Sequence, residues 1–325
     1  MSSEHPVQAV PGKTRRNLRR VFLGEQGLRA GWGLLLFLVL TGALQLPVVI
    51  GLGALGVHRA DLLGDPGSAR GVASSVILGL GAALVATALM ARLERRRFGD
   101  YGLGGKGQGL LRFAQGTLVG LLLMSALAGL LLASGALVLD GVSLRGSAAW
   151  RYGLQWAGAY LLVSLFEEVM MRGYLLYALA RGLGFRWAAL LSSLLFAAGH
   201  LKNAGESPIG LAAVVLIGLV WGYSVWRLGS LWWALGFHAA WNWAQSFLYG
   251  VGNSGFASQD HLLTTHPEGP TWLSGGVTGP EASLWNLAAI LLTGLAVQLS
   301  GRLRPTASGA SPSPGSAPRS AGSGG

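Results

Sequence analysis

Cysteine is missing from the 325-residue chain. Its absence excludes disulfides, thiolate zinc sites and a cysteine nucleophile. Charge is also scarce. Asp, Glu, Lys and Arg make up 11% of the residues, against about a quarter in an ordinary globular domain. The two soluble domains that the length alone would suggest are therefore excluded. Apolar residues fill the gap, at 51% of the chain. Several runs reach about 18 residues or more, enough to cross a hydrocarbon core of roughly 30 Å. The expected fold is an all-α polytopic integral membrane helical bundle of about eight transmembrane helices. No short apolar segment with a small-residue cleavage site follows the basic start, so no cleaved signal is expected. No internal repeat of the transporter kind is visible.

The charges that are present carry a net +11, and their placement divides the chain. Residues 1–30 form a basic arm with Lys13, Arg15, Arg16, Arg19, Arg20 and Arg29. Residues 31–145 hold three expected spans (31–57, with Pro47 expected to kink it, then 71–91 and 113–139). Residues 150–250 hold four more (152–180, 187–201, 209–226 and 230–250). The 152–180 segment is too long for one perpendicular crossing, so a tilt or break is expected. Residues 251–283 form a polar loop without Lys or Arg. An eighth span covers 284–300, and the Pro/Ser/Gly-rich tail 301–325 is expected to be disordered.

Eight spans put both termini on one side. Among the loops of the other side only Arg59, Arg70, Arg145, Arg151 and Lys202 are basic. The positive-inside rule then assigns both termini to the cytoplasm of a multi-pass plasma-membrane protein. Basic runs such as Arg95-Arg96-Arg97 are orientation signals. The lipid bilayer is the expected partner of this positive charge, and nucleic acid is not. Trp150, Trp187, Trp226, Trp232 and Trp233, near span ends, suit interfacial anchoring.

One stretch breaks the apolar pattern. Glu167, Glu168 and Arg172 lie in the middle of the 152–180 run. A charge at the bilayer centre costs about 3 kcal/mol or more, so such a cluster marks a functional site. Glu168 and Arg172 stand four residues apart and share a helix face. Glu167 points about 100° away, toward a different partner. Two further pairs at the same spacing are Phe196/His200 and His238/Asn242. At about 1.5 Å rise per residue, Glu167 and His200 each lie roughly 21 Å from the basic end of their helices. His238 and Asn242 lie roughly 14 and 20 Å from it. The four groups can therefore meet at one depth.

Hydrolysis fits such a meeting. A carboxylate beside imidazoles can take a proton from water, and His or Asn can donate to a developing oxyanion. Glu167, His200 and His238 are equally a candidate ligand set for zinc or another divalent cation with an open fourth position. A different class also accommodates buried Glu, Arg and His: a non-enzymatic transporter, or a binding factor conferring bacteriocin immunity, using them as an ion pathway or as structure. Other features carry less. Phe196 is expected to pack beneath the site, and His261 and His266 to be solvated. Gly51-x-Gly53-x-x-Gly56 spells a dinucleotide fingerprint but follows no strand.

The three clusters, Glu167-Glu168-x-x-x-Arg172, Phe196-x-x-x-His200 and His238-x-x-x-Asn242, resemble in order and spacing the motifs of the CPBP family of intramembrane proteases. That family is also known as the CAAX prenyl protease 2 or Abi family. The resemblance covers residues 150–250. It implies cleavage of peptide bonds in membrane-associated peptides or proteins, with Glu167 activating water. His200 would assist Glu167 or help hold the water, His238 and Asn242 would support the oxyanion, and Glu168 and Arg172 would position the site. It leaves open a glutamate-only or a metal-assisted mechanism. The site is expected in a cavity opening toward the cytoplasm.

Overall fold

The computed structural model describes residues 21–24, 27–57, 64–104 and 107–302. The expected arm before Val21, Arg59 and Asp61 of the first loop, and the expected tail beyond Arg302 lie outside the described residues.

The protein is a bundle of nine long or medium helices among the described residues. They are α1 (Ala30–Ala54), α2 (Ala69–Leu93), α3 (Gly109–Ala133), α4 (Gly146–Glu168), α5 (Leu175–Leu183), α6 (Phe185–His200), α7 (Pro208–Leu228), α8 (Trp232–Trp243) and α9 (Trp285–Ser300). Helices α1, α2, α3 and α7 are each long and apolar enough to cross a membrane. Local chemistry sets the ends. Ser68 and Ser207 each accept a backbone N–H in the first turn of α2 and α7, and Pro208 begins α7, as helix starts favour. The helix α1 continues through Pro47.

Two expectations change. The third span does not run to Leu139. Ser134 and Gly135 stop α3, with Gly135 turning at φ 73°, where glycine carries no steric penalty. The apolar residues that follow form a strand, Leu137–Val142, paired antiparallel with Leu263–Pro267 across the expected polar loop. Trp233 is not an interfacial anchor. It is fully buried, whereas Trp150, Trp187 and Trp226 are exposed.

The strand pair marks one end of the bundle, the sheet side. The loop Glu94–Gly104 and the turn at Gly229 meet at the other, the basic side, where Leu231 N donates to Gly102 O. Helix α8 runs through the centre, packed on α3 and α4. Its closeness to α3 comes from glycines. A Cβ at Gly116, Gly120 or Gly236 would fall 2.0–2.5 Å from a backbone oxygen of the facing helix, the close approach that small residues at four-residue spacing permit in membranes. This contact fixes the depth of His238. On the outside, Ile50, Leu110, Leu118 and Leu291 are among many exposed aliphatic residues, as a lipid-facing surface requires.

Candidate active site

The 152–180 segment is broken. Helix α4 ends at Glu168, a π-turn covers Val169–Tyr174, and non-helical dihedrals at Gly173 separate it from α5. Such a turn frees a carbonyl, and π-turns cluster at functional sites. Ser192 Oγ donates to Met171 O at 2.7 Å, tying the turn to α6. A second π-turn, Ala244–Leu248, follows Asn242 on α8. The helices that carry Glu167 and His238 thus both change pitch beside the site.

Glu168 and Arg172 pair along the helix at 3.3 Å with almost no exposure. The guanidinium lies 4.3 Å from the Phe196 ring centroid and 5.2 Å from that of Trp221, where aromatic faces offset part of its desolvation. Gly218 makes the room. A Cβ there would sit 2.9 Å from Arg172 Nη2 and 2.8 Å from Ser193 Oγ. Three atoms of this pair, Glu168 Oε2, Arg172 Nε and Arg172 Nη2, have no hydrogen-bond partner among the described residues.

His238 links the two carboxylates. Its Nδ1 stands 3.3 Å from Glu168 Oε1 and its Nε2 3.5 Å from Glu167 Oε2. Trp221 stacks on the imidazole at 4.4 Å and 23°, holding the ring in that plane. His200 is oriented differently. Its Nδ1 is 2.8 Å from Phe196 O, and a carbonyl only accepts, so Nδ1 carries the hydrogen and Nε2 is left as an acceptor in the neutral ring. The imidazole next to Glu167 is therefore that of His238, not His200. Phe196 does pack beneath, edge-on to His200 at 4.7 Å.

Glu167, His200, His238 and Asn242 all line one cavity of about 370 Å³. Glu168 and Arg172 lie behind its wall. The cavity does not open toward the basic side. Its other lining groups include Pro66, Asn253, Ser254 and Phe256, all at the sheet side. On the basic side, away from the cavity lining, a clasp forms in which Arg181 pairs with Glu94 at 3.3 Å and the Tyr101 and Tyr174 hydroxyls donate to the same carboxylate. Burial and the Glu94 charge push the Tyr101 phenol well above its ordinary range.

The zinc set does not form. Among the described residues no three His, Asp or Glu side chains converge as ligands for one ion, and both ring nitrogens of His238 face carboxylates. Sequence reasoning missed Trp221, whose position in the middle of an apolar span was its only signal. It also missed Glu281, a carboxyl in the polar loop that lines the same cavity.

Residues 149–244 match the family model described as Type II CAAX prenyl endopeptidase, Rce1-like. All six candidate residues fall within that segment. No curated protein and no solved structure matches the chain.

Proposed function

We propose, on the premise that residues 149–244 form a core of the CAAX protease family, that this chain is an intramembrane endopeptidase with Glu167 as its water-activating base. The observation that carries the reading is the 3.5 Å approach of His238 Nε2 to Glu167 Oε2 on the wall of a cavity shared with His200 and Asn242.

A water held at Glu167 and His238 loses a proton to the Glu167 carboxylate as its oxygen attacks the substrate carbonyl carbon. The negative charge moves to the carbonyl oxygen. Asn242, on the wall of the same cavity, donates to it. The C–N bond then breaks, and protonated Glu167 returns its proton to the leaving amine. His200 Nε2 accepts a hydrogen bond from the second hydrogen of the water, which stays on the attacking oxygen. Glu168 is a positioning residue that fixes the His238 ring through Nδ1, and Arg172 in turn fixes Glu168. No step passes through a metal, because the donors do not converge.

The substrate is a membrane-associated peptide or protein segment that reaches the cavity from the sheet side. Eight crossings remain our reading of the apolar helical segments, with the interrupted α4–α5 and the helices α6, α8 and α9 joining the four long ones. With the basic side cytoplasmic, the cavity faces the opposite compartment. The cysteine-free chain makes this easy to test, because single introduced cysteines at Ser258 and Arg95 would label from opposite sides.

The function is tested by cleavage of a membrane-tethered peptide library. Glu167→Ala should cut about 100- to 10,000-fold more slowly than the unmodified chain, and a chelator should leave the unmodified chain active. Undiminished cleavage by Glu167→Ala would sink the assignment.

A further inference from the structure

The cavity has a second polar end. Glu281, on the loop before α9, lines it together with Ser254, Asn253 and Asn286. These residues lie outside the family segment. Glu281 Oε1 accepts from Ser254 N at 2.5 Å and from Ser254 Oγ at 3.2 Å, and Oε2 accepts from Gln245 Nε2. All three donors are neutral. Among the described residues no Lys, Arg or His pairs with Glu281. Burial pushes its carboxyl up to about 7, against the hydrogen bonds from Gln245 and Ser254.

The neighbouring groups add acceptors. The Asn286 amide nitrogen is engaged with Glu281 O and that of Asn253 with Ser246 Oγ, so the Oδ1 atom of each is left as an acceptor. Gln245, behind the wall, is fully buried and reaches the cavity only through the bond it gives to Glu281. A role limited to stapling the loop would account for the three bonds. It would not account for a carboxyl without a counter-charge, half-buried on the cavity wall among spare acceptors.

Donors without acceptors are what such a place lacks, and ammonium and guanidinium groups supply them. Resting on the protease reading above, we infer that Glu281 is a specificity-determining residue that binds a basic side chain of the substrate. Helix geometry sets the distance. Gln245, which holds Glu281, follows His238 by seven residues, about 10 Å along the helix. An extended peptide rises about 3.3 Å per residue, so the basic residue lies about three residues from the bond that is cut. The sheet side is also where the long stem of Lys or Arg can stay in apolar surroundings while its head reaches polar groups.

The test uses the full-length protein in lipid nanodiscs at about pH 8, above the value to which burial raises the Glu281 carboxyl. N-acetylated membrane-tethered peptides carry Lys or its uncharged isostere norleucine at each position up to five residues from a common cleavage site. The unmodified chain should cut the Lys peptide about 10- to 100-fold better in kcat/KM at about the third position, the size of one charge-assisted hydrogen bond. Glu281→Gln should remove the preference while still cutting the norleucine peptide. Retention of the preference in Glu281→Gln overturns the inference, as does its absence from the unmodified chain. A preference seen only when the acetyl group is omitted also overturns it, by assigning the acceptors to a free amino terminus.

Binding provides an arm that needs neither turnover nor the folding of Glu281→Gln. Glu167→Ala, with Glu281 intact, should bind the Lys peptide about 10-fold or more tightly than the norleucine peptide by fluorescence anisotropy. Equal Kd values overturn the inference. If no peptide is cut by the unmodified chain but the Kd ratio stands, the proteolytic reading fails and the basic-group site survives.

Discussion

Glu168–Arg172 at the centre of the bundle and Glu94–Arg181 at the basic side are both ion pairs 3.3 Å long. Their surroundings differ. The Glu94 carboxylate also takes hydrogen bonds from Tyr101 and Tyr174, and Arg181 reaches the Leu28 carbonyl and the Tyr177 hydroxyl. No buried side-chain atom of that pair lacks a partner among the described residues. The central pair leaves three such atoms without one. A pair kept for stability alone gains nothing from unmet atoms, because a buried charge costs more than its partner returns unless the remaining groups are satisfied. The peripheral pair thus serves as a clasp. The central pair instead meets the site, since Glu168 Oε1 also stands 3.3 Å from His238 Nδ1.

The largest effect should follow from breaking the central pair. Arg172→Ala leaves Glu168 as a lone charge in an apolar interior and should lower unfolding stability by about 3–5 kcal/mol. Thermal unfolding in nanodiscs measures it. The double replacement Glu168→Leu with Arg172→Met should recover most of that stability, because apolar groups of similar volume often replace a buried pair at no cost. Cleavage should not recover, since His238 loses the acceptor at Nδ1. Recovery of both would reduce the pair to structure.

The clasp should matter less. Glu94→Gln removes its charge but keeps an acceptor for the two tyrosines, and the partner Arg181 retains 15% exposure. A loss of about 1–3 kcal/mol is expected, with Tyr174→Phe costing about 1 kcal/mol. Thermal unfolding in nanodiscs measures both, and an unchanged stability in Glu94→Gln would show that the clasp holds nothing.

The two pairs also differed in how far they could be read from sequence. Glu168 and Arg172 stand four residues apart on one helix, so their pairing follows from helical geometry alone. Glu94 and Arg181 stand 87 residues apart, and only the folded chain brings them together. The depth of His238 was legible from spacing, because rise per residue is constant. Its facing of Glu167 was not, because a rotation of α8 is set by the glycine contacts with α3. Leu137–Val142 read as the end of a span because its residues are as apolar as those before them. The stop at Ser134-Gly135 was present but outweighed by hydropathy. Trp233 read as an anchor because it stands near a span end, and the glycines of α3 are what draw it inside.

A smaller effect tests the space around the central pair. Gly218→Ala puts a methyl 2.9 Å from Arg172 Nη2 and 2.8 Å from Ser193 Oγ. Overpacking of this size costs about 1–3 kcal/mol. Ser193 Cβ stands equally close, at 2.9 Å, and cannot rotate away, and turning its hydroxyl would break the bond to Ala189 O, which favours the high end. The guanidinium cannot move without shifting Glu168 and then His238. Cleavage should therefore fall more than stability does, with kcat reduced and KM little changed. A proportionate loss in both kcat and fold stability would place Gly218 in packing alone.

The smallest effect belongs to a third pair, in water. His266 Nδ1 lies 2.9 Å from Asp140 Oδ2 across the strand pair, with both side chains exposed. The hydrogen bond to Asp140, more than the charges of Asp140 and Glu268, raises the His266 pKa above 6.5. A raised histidine value means the folded state binds the proton more tightly. The contribution is then fully present below about pH 6.5 and is lost as pH rises through the folded value. The stability difference between the unmodified chain and Asp140→Asn should accordingly shrink across that window. Added salt should shrink it too, since exposed pairs are screened while buried ones are not. Hydrogen exchange at the amides of residues 137–142 and 263–267 reads the change locally. If the difference is independent of pH, Asp140 does not stabilise the His266 imidazolium. If salt weakens the Glu168–Arg172 pair as much as this one, water reaches the central pair, and the contrast between the two regions fails.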